Sequence, residues 1–77
     1  MQNIEIDLKK AKNSEFKNIV YEYKKHEDFE GIYTVAAHNY ATDENTIFYV
    51  FINPEDEDII DKIINNQLNY LIRKGKF

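Results

Sequence analysis

The sequence predicts a small α+β domain: an antiparallel β-hairpin, residues 32–40 and 46–52, packed against two helices, residues 14–25 and 54–74. Three observations lead there. Residues 47–52 (IFYVFI) are apolar throughout, and Asn-Pro, four acids and a long Ile/Leu-rich stretch follow directly. Residues 32–40 form a second strand-like stretch in which sides alternate. Phe16, Ile19, Val20 and Tyr23 recur at i, i+3, i+4 and i+7, the spacing of one helix face.

At the N-terminus, Ile4, Ile6 and Leu8 alternate with polar residues and suit a short strand over 3–8. Asn13 and Ser14 then offer an N-cap for the first helix, with Glu15 placing negative charge in its first turn. The segment IVYEY favours strand by propensity. A strand, however, would put Phe16 and Val20 on the side of Asn18 and Glu22, so the helical spacing decides. The HEDFEG stretch, 26–31, ends on one of two glycines and reads as a loop.

In the first hairpin strand, Thr34, Ala36 and His38 share one side; Tyr33, Val35, Ala37 and Asn39 share the other. The alanines let another element approach closely. Polar ATDENT, 41–46, has no glycine, which predicts a loop of about four to six residues over a two-residue turn. The returning strand is apolar on both sides, with Ile47, Tyr49 and Phe51 against Phe48, Val50 and Ile52. Such a strand calls for layers on both faces, or a face used in assembly.

Asn53 is placed to cap the last helix, with Pro54 at its first position and Glu55, Asp56, Glu57 and Asp58 facing the positive end of its dipole. Arg73 and Lys74 in the last turn and Gly75 just beyond are stop signals. The apolar residues of this segment spread over more than half the helix circumference, which predicts contact with two surfaces: the sheet, and either the first helix or another molecule.

A chain of 77 residues is one domain and buries only about 60% of its unfolded surface, so its stability margin is small. With no Cys, disulfides and thiolate metal sites are excluded, and two His make a structural zinc improbable. No apolar run reaches the ~18 residues of a membrane span, and the N-terminus lacks the apolar core of a signal peptide. The expectation is a soluble, cytoplasmic protein of a bacterial cell or an infected host cell. Abundant Ile, Asn, Lys, Tyr and Phe with scarce Gly, Ala, Arg and Pro suggest an AT-rich genome, such as that of a low-GC bacterium or its phage.

The net charge of −4 hides a segregation. Residues 27–61 hold ten acids and no Lys or Arg, while the flanking segments are net basic, +2 over 1–26 and +4 over 62–77. Blocked charge of this kind creates a directional field. In the predicted topology the 26–31 loop lies near the end where the second strand delivers the helix. Glu27, Asp28 and Glu30 therefore group with Glu55, Asp56, Glu57 and Asp58, and Asp43 and Glu44 form a separate pole. Phe29 sits between acids, where an exposed ring is hard to explain except by docking.

Chemistry-bearing motifs are sparse. Asp43-Glu44-Asn45 resembles the start of a calcium loop but lacks the required glycine and distal Glu. His38 flanked by Asn39 and Tyr40, and His26 among acids, fit structural or solvated roles. A single Ser and no Cys leave nucleophile triads little to work with, and there is no Gly-rich phosphate loop. Tyr21, Tyr33, Tyr40, Tyr49 and Tyr70 fit half-buried core positions with a wet hydroxyl, or interface anchors.

The sequence thus points away from an enzyme, a metal or a cofactor. Its leading reading is a small inhibitor that occludes a basic, nucleic-acid-handling protein with an acidic surface imitating phosphates. Phage anti-defence inhibitors and toxin immunity proteins share this profile by analogy. The partner-binding residues would be Glu27, Asp28, Phe29, Glu30, Glu55, Asp56, Glu57 and Asp58. A homodimeric accessory subunit is the alternative. Direct nucleic-acid binding through Lys9, Lys10, Lys12, Lys17, Lys24 and Lys25 conflicts with the overall acidity.

Overall fold

Among the described residues, four antiparallel strands in consecutive order make one sheet, and one helix covers one of its faces. The computed structural model describes residues 9–77. The strands are β1 (Lys12–Asn13), β2 (Ile19–Lys25), β3 (Ile32–Asn39) and β4 (Glu44–Phe51), followed by a 3-10 turn (Pro54–Ile59) and helix α1 (Ile60–Arg73). Among the described residues each strand pairs only with its chain neighbours, in the order β1-β2-β3-β4. The strand expected over 3–8 lies outside the described residues.

This corrects the expected hairpin packed against two helices: residues 14–25 form no helix. Ser14 starts a turn instead. Its hydroxyl accepts from Phe16 N–H at 3.0 Å and lies 2.7 Å from Ile19 O, to which it donates. A Ser side chain that bonds the backbone two residues on serves a turn as readily as a helix cap. Asn18 then takes a positive φ of 72°, which resets the direction of the chain. The apparent helical spacing arose because Phe16 belongs to this turn and Val20 to the strand beyond it. Within β2 the period is two: Ile19 and Tyr21 are buried, and Val20 and Glu22 lie on the other face.

β3 and β4 pair without a break from Ile32↔Phe51 to Asn39↔Glu44, leaving a four-residue loop, 40–43. The strands run 32–39 and 44–51, slightly displaced from the expected 32–40 and 46–52. Tyr33, Val35, Ala37 and Asn39 are buried on the helix side, the alternation read from the sequence. Together with Ile19, Tyr21, Val50, Ile52, Ile60, Ile64, Leu68 and Phe77 they enclose the core.

The last helix also starts later than expected. Asn53 makes no side-chain cap bond; Asp56 N–H instead donates to Asn53 O at 2.8 Å. Asp56 leaves helical geometry at φ −106°, ψ 18°, so the acids lie in a 3-10 turn and α1 proper begins at Ile60. Its end matches the expected stop. Gly75, at φ 71°, donates to Ile72 O, and Lys76 N–H donates to Leu71 O at 2.9 Å, a Schellman closure.

α1 is held over the sheet by polar as well as apolar contacts. Asn65 is buried; its Oδ1 accepts from Glu15 N–H and its Nδ2 donates to Asp61 O, both at 2.8 Å. It pins the 14–18 turn to the helix, so this turn supplies the second surface that the missing helix was expected to provide. Ile59 and Tyr70 remain exposed.

Candidate functional site

Two acidic segments meet at one end of the sheet, and a single backbone junction brings them together. Ile52 N–H donates to Gly31 O at 2.8 Å. Gly31 has φ 79°, and a Cβ there would stand 2.4 Å from Ile52 O. Only glycine accommodates both the left-handed backbone and so close an approach. This fastens the loop before β3 to the chain that leaves β4. Glu27, Asp28, Phe29 and Glu30 on the loop and Glu55, Asp56, Glu57 and Asp58 on the 3-10 turn therefore share one end, and all eight are exposed. Asp43 and Glu44 lie at the opposite end of β4, beside the 40–43 loop.

The expected binding residues are not equivalent. Glu57 is drawn toward the sheet: Tyr33 OH donates to its Oε1, and Lys25 Nζ lies 3.3 Å away. The Tyr33 bond first, then Lys25, holds the Glu57 carboxyl below its ordinary range, and the same bond raises the Tyr33 phenol to about 12. Glu57 is thus a tether between turn and sheet. Lys25 also brings positive charge to this end, softening a block that lacks Lys and Arg in sequence alone. Phe29 is 60% exposed, and its ring meets the His26 ring at 5.3 Å.

A parallel arrangement stands at the other edge of the helix. Tyr21 OH donates to Asp61 Oδ1, and Lys12 Nζ contacts both Asp61 oxygens at 2.9 and 3.0 Å. Burial, then the bond to Asp61, pushes the Tyr21 phenol upward; the Tyr21 bond, against an opposing effect of burial, and Lys12 keep the Asp61 carboxyl low. Sequence reading missed both Tyr–carboxylate–Lys clusters, because their members are far apart in the chain and meet only through the strand register.

The histidines and the serine are engaged locally. His38 is buried, with Nδ1 2.6 Å from Asn45 Oδ1, Nε2 3.5 Å from Asp43 Oδ1, and the Tyr40 ring edge-on at 4.8 Å. Ser14 holds its turn. A hollow of about 460 Å³ lies against the 13–20 turn and Tyr40, with no histidine on its wall. Among the described residues, no three His, Cys, Asp or Glu side chains are grouped to hold a metal ion, and no helix is long and apolar enough to cross a membrane.

The clearest feature outside the acids is the sheet face away from α1. The register places Ile47, Tyr49 and Phe51 of β4 there, opposite Ala36, Thr34 and Ile32 of β3. Tyr49 is 61% and Phe51 73% exposed. The two-sided apolar strand is therefore buried on one face only, and less completely than β3. Compared with known protein families, curated proteins and solved structures, the chain matches none.

Proposed function

We propose that this is a non-enzymatic binding protein that docks its acidic end on a basic, nucleic-acid-handling protein and inhibits it by occlusion. The cytoplasm of a bacterium or of an infected host cell is the compartment this reading implies. The observation that carries it is the Gly31–Ile52 junction, which supports a shared surface of Glu27, Asp28, Glu30, Glu55, Asp56 and Asp58 around the exposed Phe29 ring. Carboxylates on a short loop and a rigid turn present to Lys and Arg what a phosphate row presents. Phe29 supplies the apolar anchor such surfaces need for affinity beyond charge. Glu57 serves the fold, so it is excluded from the set.

The test is capture of one stoichiometric basic protein from the native host, followed by reversal of Glu55, Asp56 and Asp58 to Lys. Binding should fall at least tenfold and should weaken with added salt. Unchanged binding after reversal overturns the reading. The exposed Tyr49 and Phe51 favour a second reading, a homodimeric accessory subunit.

A further inference from the structure

Among the described residues, β4 closes the sheet on an unpaired edge. It is eight residues long, pairs with β3 alone among the described strands, and shows no bulge in its register. It carries no Lys and no Pro, the residues that commonly blunt such an edge. Its outer-face row is apolar, with Tyr49 and Phe51 exposed and Ile47 half-buried. Acids stand at both ends: Asp43 just before it and Glu44 at its first position, and Glu55, Asp56 and Asp58 with the 27–30 loop after it.

We infer that β4 receives an extended segment of the basic partner by strand addition. The segment would have apolar side chains at alternate positions and Lys or Arg at both flanks. The inference rests on the proposed function and adds the binding mode and the chemistry of the bound segment. Strand addition satisfies the unpaired backbone groups of the edge, and alternate side chains then cover the open row. Charge complementarity selects the flanks.

The same charges disfavour a second copy. Antiparallel pairing of two β4 strands along their whole length sets Asp43 of one opposite Ile52 of the other, about three residues, or ~10 Å, along the chain from Glu55. The acids at each end then face one another at about one screening length for ~0.1 M salt, and like charges repel.

The test uses the full chain and a synthetic peptide with a Val-Thr-Val-Tyr-Val centre and a Lys-Arg pair at each end. Hydrogen exchange of the β4 amides and fluorescence titration are the readouts. The peptide should slow exchange at alternate residues of Glu44–Phe51. Affinity should fall at least tenfold when the flanks become Glu, when alternate peptide nitrogens are methylated, or in the Tyr49→Lys/Phe51→Lys variant. Protection confined to the 27–30 loop and the 3-10 turn would overturn strand addition while leaving the acidic docking reading intact. No binding of the peptide by the free chain would also overturn it. So would a free protein whose β4 amides are already fully protected: at twice the 9.2 kDa chain mass the occupant is a second copy, and at the monomer mass it is the alternating 1–8 segment.

Discussion

The two edges of the sheet are managed in opposite ways. β1 is two residues long, carries Lys12, and is tied across to α1 through Asp61 and Tyr21. β4 is four times as long, carries its one charge at Glu44, and presents Tyr49 and Phe51 to solvent. A short, charged, anchored edge resists pairing with another chain; a long, apolar, unbulged one invites it. Apolar content alone does not locate the core. β4 is the more apolar strand, yet β3, with its alanines and polar residues, is the better buried.

The largest loss of stability is expected on the helix side of the sheet. Leu68 and Ile64 are completely buried, so Leu68→Ala should cost about 2–5 kcal/mol. In so small a domain that approaches the whole stability margin, and chemical denaturation should show a much lower midpoint. Phe51→Ala on the open face should change stability by no more than about 0.5 kcal/mol. Equal losses at the two sites would mean that the outer face is covered.

Next comes the junction that aligns the acidic segments with the end of β4. Gly31→Ala forces a side chain into a left-handed backbone and against Ile52 O, and should cost about 1–3 kcal/mol. Gly75→Ala shares the backbone strain but meets nothing within 4 Å, so it should cost less. Thermal melts of the pair separate strain from collision.

The anchored edge predicts a pH response. Asp61 is held low chiefly by the Tyr21 hydroxyl and also by Lys12, while burial opposes them. A depressed carboxylate adds stability that is complete above the unfolded value near 4 and disappears as pH falls through the folded one. Asp61→Asn should therefore melt below the parent at pH 7, and the gap should close as the pH falls from about 4 toward the folded value. A gap that persists at low pH would assign the contribution of Asp61 to packing. The smallest expected effect is Tyr49→Lys: stability within about 0.5 kcal/mol of the parent, with better solubility at high concentration.

Much of the hairpin was legible because alternation is a local property. Tyr33, Val35 and Ala37 against Thr34 and Ala36 could sit in only one register with a buried face. The Gly75 stop was equally local. The 14–25 segment was misread because its spacing mixed two structures: Phe16 in a turn held by Ser14, and Val20 in a strand that begins after Asn18 reverses the chain. The β propensity of IVYEY pointed the right way and was overruled by a periodicity that was coincidental. Of the candidate site, the acids and Phe29 were visible as a composition block. The diversion of Glu57 to Tyr33 and Lys25 was not, because it depends on side chains 24 and 32 positions apart.

By itself the sequence determined the β3–β4 hairpin, the helix that follows it and the segregation of charge, since each depends on neighbours along the chain. Long-range packing settled the rest: residues 19–25 join the sheet, and, among the described residues, two Tyr–carboxylate–Lys clusters tether the helical segment while Tyr49, Phe51 and one edge of β4 stay open. Those outcomes depend on which surface α1 covers. One helix can cover only one face of a four-stranded sheet, so the apolar surplus of β4 was left on the outside.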